Sequence, residues 1–164
     1  GEPQESPVEI RVEVPVDAHL PEDYVGRADL RLEAYRKLAS AGSTADASNV
    51  EAVRTEWEDR YGPIPAPAEA LLAIARLRTV CVSRRITEAA VIWRPGIVLG
   101  SKPVLEARCS PVDLPLSRQT RLTRLHPKAL LKEGTRQLHL PLGTEDPVAE
   151  LTSLLEDLVP VAVP

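Results

Sequence analysis

Glu56, Asp59 and Arg60 sit on a segment whose apolar residues Val50, Val53, Trp57 and Tyr61 recur at helical spacing. On a helix, Glu56 and Asp59 share one side, away from that stripe, with Arg60 four residues beyond Glu56. One reading is an acidic patch that grips arginines of another domain. The other is a pair within the helix between Glu56 and Arg60, contributing about 0.2–0.5 kcal/mol. Among the acidic clusters, this surface is the strongest candidate for recognition.

No motif points to catalysis. Gly100-Ser101-Lys102 lacks the upstream glycine of a phosphate-cradling loop and precedes a strand-like run. No G-x-S-x-G elbow is present. His19, His126 and His139 are scattered, and Cys81 and Cys109 are isolated, without the spacing of a metal site. Cys81 falls on an apolar helical face and reads as a small core residue. Arg76, Arg78, Arg84 and Arg85, then Arg118, Arg121 and Arg124, could neutralise phosphates. Aromatic platforms do not interleave with them, since Trp93 is the only aromatic beyond residue 61.

These residues need elements to hold them. Strict alternation over Val8–Val14 predicts a half-buried strand, followed by a proline-bracketed extended arm to about residue 28. Three helices are expected at about 29–41, 49–61 and 67–85. Asp29 is the expected N-cap of the first, and Leu32, Tyr35, Leu38 and Ala39 its buried stripe. Ser48 and Glu51 have the spacing of a capping box for the second, which Gly62-Pro63 should end. The third should bury Ala70, Ala73, Ile74, Leu77, Val80 and Cys81.

From about 87 to 140 the period changes. Runs at 88–93, 97–99 and 104–109 read as strands, and 129–132 with 136–140 as a hairpin. A helix at 115–125 should turn Leu116, Leu122 and Leu125 inward, and a last helix at about 146–158 starts with acidic residues suited to its dipole. The expected fold is α+β: an N-terminal three-helix region packed with a small mixed or antiparallel sheet and a C-terminal helix. After the arm of 1–28, residues 29–160 form one compact domain.

The 164 residues carry a net charge of -4 that conceals a segregation. Residues 1–75 hold 7 basic and 15 acidic side chains, residues 76–140 hold 13 and 4, and residues 141–164 hold none and 5. Such blocks neutralise each other within a fold or face separate partners. The composition is that of a globular domain, with no apolar run of the ~20 residues a membrane span needs. The absence of Met and of a signal-like N-terminus suggests a piece of a longer, cytoplasmic protein.

Three blocks in order carry a family likeness: Val8–Val25, Arg31–Ser40, and Glu56-Trp-Glu-Asp-Arg-Tyr-Gly-Pro63 running into Ala68–Arg78. The chain resembles the C-terminal (TRCF) domain of the bacterial transcription-repair coupling factors, the Mfd family, sharply to about residue 85 and in order and spacing beyond. That resemblance implies a non-catalytic module of an ATP-dependent DNA translocase that displaces stalled RNA polymerase and recruits UvrA in nucleotide excision repair. It implies docking on the parent's N-terminal UvrB-like module, which masks the UvrA-binding surface and restrains the motor. The family's acidic docking positions fall on Glu56 and Asp59. No catalytic, cofactor or metal residues are expected in this chain; ATP and magnesium would belong to the motor, which would also supply the DNA contact. The alternatives are a nucleic-acid-binding accessory domain that uses the basic central block, and a structural self-association unit.

Overall fold

The computed structural model describes residues 9–163. Val8 and the residues before it, which open the expected strand and arm, lie outside the described residues, as does Pro164. The order of elements is β1 (Arg11–Glu13), α1 (Ala28–Gly42), α2 (Ser48–Tyr61), α3 (Ala66–Arg84), β2 (Glu88–Arg94), β3 (Val104–Ser110), α4 (Leu116–Leu125), β4 (Leu130–Lys132), β5 (Gln137–Leu142) and α5 (Pro147–Leu158). The expected α+β architecture is the one observed.

Five strands form one sheet in the order β1-β2-β3-β5-β4. β1 lies parallel to β2, with Val12 opposite Ala89, and every other pairing is antiparallel. Alternation therefore puts Ala89, Val91, Leu105, Ala107, Cys109, Leu138 and Leu140 on one face, all buried. Ala90, Ile92, Glu106, Arg108 and His139 take the other.

Two apolar clusters share α3. Ala68, Leu72 and Ala75 on its first half pack with α1, α2 and the arm residues Leu20 and Val25. Leu77, Val80 and Cys81 on its second half pack with the sheet and with Leu151, Leu155 and Leu158 of α5. This helix is thus the spine joining both cores. Of the expected stripe, Leu77, Val80 and Cys81 are buried, whereas Ala70, Ala73 and Ile74 are only partly so. Ala68, Leu72 and Ala75 take the inward positions of the first half, because the helix changes partners midway along its length.

Its end is built from backbone conformation. Arg85 is left-handed at φ 56°, its N–H bonds Val82 O at 3.2 Å, and Ile86 N–H bonds Cys81 O at 2.9 Å. That is a Schellman closure, and fully buried Ile86 supplies the accompanying apolar contact.

Several local expectations are corrected. α1 starts one residue before Asp29, with Arg27 at the N-cap and no side-chain cap; Asp29 binds Arg27 instead, at 2.8 Å. The buried set of α1 is Ala34, Leu38, Ala41 and Gly42, whereas Leu32 is half exposed. Small residues turn inward because α1 approaches α3 closely: a Cβ on Gly42 would stand 3.5 Å from the Ala75 Cβ. Tyr35 sits at the edge, where its hydroxyl accepts the Leu20 N–H at 2.8 Å.

The capping box does not form. Asp46 takes the Ser48 N–H at 2.9 Å, so Ser48 lies inside the helix, and Glu51 reaches Arg76 on α3 instead. Ile97 to Leu99 form no strand but the exposed tip of the β2–β3 connection. In α4 only Leu122 is buried; Leu116 and Leu125 face solvent. α5 is capped as expected for an acidic start, with the Asp146 side chain accepting the Ala149 N–H at 3.2 Å.

Candidate docking surface

α2 is held on its inner side by Val50, Val53 and Trp57, all buried among α1 and α3. Its C-terminus is fastened by the arm. The Tyr24 hydroxyl lies 3.1 Å from Trp57 O and 3.0 Å from Gly62 O, within donating reach of both carbonyls at the end of the helix. The Tyr24 ring meets Tyr61 edge-on at 5.7 Å. Burial, helped by nearby Glu58, raises the Tyr24 pKa, so the hydroxyl stays a donor. Gly62, at φ 86°, then ends the helix as the sequence indicates.

The three residues singled out in the sequence occupy different situations on this helix. Glu56 is partly buried and accepts from Lys37 on α1 at 2.9 Å and from Arg60 at 3.4 Å. The Lys37 hydrogen bond holds the Glu56 carboxyl below its usual range, and Arg60 adds to that. Arg60 also stands 5.2 Å from the Tyr61 ring centroid, a cation–π distance. Asp59 is exposed and has no ion-pair partner among the described residues. The helical spacing of Glu56 and Asp59 is as expected, yet only Asp59 offers a wholly uncommitted carboxylate.

Neighbours that sequence reasoning missed fix this arrangement. Arg54 binds Glu58 one turn on at 3.2 Å and Glu69 at the start of α3. Only the Arg54–Glu58 pair has a local signal, its four-residue spacing. Lys37 and Glu69 come from other helices, and no spacing could have announced them.

The basic central block is largely engaged within the fold. Arg76 pairs with Glu51, Arg121 with Asp157 and Arg136 with Asp113. Arg78 donates to Ile10 O, and Arg84 Nε donates to Leu155 O and Val159 O at 3.1 and 2.8 Å, closing the end of α5. Burial lowers the Arg84 pKa, because desolvation disfavours the charged guanidinium, while the nearby Glu156 charge opposes the shift. The stripe of Arg118, Arg121 and Arg124 divides, its first two residues bonding the Asp157 carbonyl.

One further polar cluster lies on the second face of the sheet. Glu106 and His139 are both buried; Glu106 accepts from Arg94 at 3.1 Å and from Arg108 at 3.3 Å, and His139 Nδ1 is 3.4 Å from its carboxylate. Desolvation lowers the His139 pKa, with the Glu106 charge opposing it. Cys81 and Cys109 are free and buried, and burial pushes the Cys81 thiol up to about 12, which makes it an unreactive core residue. Among the described residues, no group of three or more His, Cys, Asp or Glu is placed to hold a metal ion, and no helix is long and apolar enough to cross a membrane.

Fold and surface together define a small α+β domain whose charged helix α2 belongs to a three-helix layer beside a mixed sheet. Residues 14–92 match the TRCF domain family. The chain is 41% identical to the transcription-repair-coupling factor of Mycobacterium tuberculosis over 84% of its own length, and equally so to that of Mycobacterium bovis. It is 39% identical to the Escherichia coli factor over 41% of its length. It spans about one tenth of the mycobacterial relatives, 10% in each case. The solved C-terminal domain of a transcription-repair coupling factor superposes with a TM-score of 0.63, at 18% identity, covering 90% of this chain and 89% of that one. The chain belongs to the TRCF domain family.

Proposed function

We propose that this chain is the C-terminal regulatory module of a transcription-repair coupling factor. The parent would be an ATP-dependent DNA translocase of the bacterial cytoplasm that displaces stalled RNA polymerase and recruits UvrA for nucleotide excision repair. The module itself performs no chemistry. Its α2 surface docks on the parent's N-terminal UvrB-like module, masks the UvrA-binding surface and restrains the motor, which carries the ATP, magnesium and DNA contacts.

The observation that carries the docking role is the asymmetry between the two acidic residues. Asp59 presents an uncommitted carboxylate, while Glu56 already holds Lys37 and Arg60. Arginines of a docked partner would bind Asp59 directly and share Glu56. On release Glu56 keeps its internal cations, so no charge is stranded. That suits a clamp meant to open, as do the modest, polar contacts usual between domains of one chain.

Titration of this chain with the isolated UvrB-like module tests the reading. Saturable binding is expected, with Asp59→Lys weakening it by about 5–150-fold, the range of ordinary interdomain coupling. Unchanged affinity of the variant, with helicity intact by circular dichroism, would reject α2 as the docking face.

A further inference from the structure

The connection between β2 and β3 presents Ile97, Val98 and Leu99 at 91%, 71% and 104% exposure, beside half-exposed Trp93 and Val104. Soluble domains rarely leave so many large apolar side chains contiguous and uncovered without a use. The connection is built to hold this shape. A Cβ at Gly96 would come within 1.8 Å of the Ser101 hydroxyl, and that hydroxyl donates to Val98 O at 2.6 Å. Ser101 N–H bonds the same carbonyl at 2.9 Å. Under the connection lies a groove of about 570 Å³, with Ile97, Val98 and Val104 among its apolar walls and Lys102 and Lys128 at its rim.

Charge decides what fits. Lys102 and Lys128 have no acidic partner among the described residues. The one acidic residue lining the groove, Glu106, is buried and already bonded to Arg94 and Arg108. The site therefore combines an aliphatic wall with surplus positive charge. A second copy of the chain would set the same positive patch against itself in a two-fold contact. Single-stranded nucleic acid would find one exposed aromatic, Trp93, where it needs a series of stacking platforms.

We infer that the groove under the β2–β3 connection is a second docking site, for a short acidic, aliphatic segment of a partner polypeptide. Leucine or valine side chains of that segment pack on Ile97, Val98 and Val104. Its carboxylates meet Lys102 and Lys128. The groove lies on the second face of the sheet, where Arg94, Val104, Glu106 and Pro141 alternate with the core residues, whereas α2 packs in the helical cluster, so the two surfaces are distinct.

The test uses the whole chain and a short fluorescein-labelled peptide alternating Asp or Glu with Leu or Val, followed by anisotropy. Saturable binding with Kd below about 1 mM is expected. A peptide with Lys at the acidic positions should bind at least about tenfold more weakly, as should the acidic peptide to Lys102→Glu/Lys128→Glu. Ile97→Ser/Val98→Ser, at exposed positions, should weaken binding similarly while leaving the circular dichroism spectrum unchanged. The inference is overturned by no saturation at millimolar peptide, by equal binding of the lysine peptide, or by displacement of the acidic peptide by single-stranded DNA. It is overturned equally by self-association in sedimentation that Ile97→Ser/Val98→Ser abolishes.

Discussion

Lys37 on α1 donates to Glu56 on α2 at 2.9 Å across 19 residues of sequence, so a residue placed on the outer face of α2 is also a tie between two helices. The neighbouring Asp59 makes no such tie among the described residues.

Reversing these two charges should therefore have different consequences for folding. Asp59→Lys is expected to leave stability within about 0.5 kcal/mol, as for most exposed substitutions. Glu56→Lys puts a cation against Lys37 and Arg60 and should lower the urea midpoint distinctly further. Equal midpoints for the two variants would show that the α1–α2 tie contributes nothing.

The same tie predicts a pH dependence. The Lys37 hydrogen bond lowers the Glu56 pKa below the ordinary 4.5, so the folded state holds fewer protons than the unfolded one as pH falls. The contribution is fully present above pH 4.5 and is lost as pH drops through the folded value. Urea midpoints of the wild type and Glu56→Gln should differ by a constant amount at neutral pH and converge under acid. A gap that widens on acidification would contradict this.

His139 gives a second, separate pH window. Its pKa is lowered from 6.5 by desolvation, so the unfolded chain takes up the proton first. Stability should fall as pH drops below 6.5 towards the folded value, and His139→Asn should flatten that slope. NMR titration of the ring supplies the direct check: a midpoint at or above 6.5 would refute the assignment.

Arg84 and Arg85 are adjacent yet predict opposite outcomes. Arg84→Ala removes the donor to Leu155 O and Val159 O and should cost about 1–3 kcal/mol, the penalty of unpaired buried groups. Arg85→Gly relieves a left-handed conformation and should stabilise by up to about 1 kcal/mol. Urea unfolding of both variants checks the pair.

Engagement of the basic block within the fold also bears on nucleic acid. The isolated chain should bind duplex DNA weakly, with log affinity falling against log salt by a slope no steeper than about -2, since each neutralised phosphate adds about -0.9. A markedly steeper slope would restore the DNA-binding alternative for residues 76–140.

The sequence by itself determined the α+β class, the Gly62 end of α2, the acidic start of α5, and the helical juxtaposition of Glu56 and Asp59. Those features follow from local rules: apolar period, glycine and proline punctuation, and residue spacing along one helix. Only the tertiary structure decided which of the two carboxylates is free, because Lys37 comes from another helix. Tertiary packing also turned Ala34, Ala41 and Gly42 inward in place of Leu32, since close contact between α1 and α3 favours small side chains over large ones. It made Ile97–Leu99 an exposed tip rather than a strand, because Val98 O is taken by Ser101 in a turn. Periodicity reads how a segment divides its faces; which face meets a neighbour, and at what distance, is set by the rest of the chain.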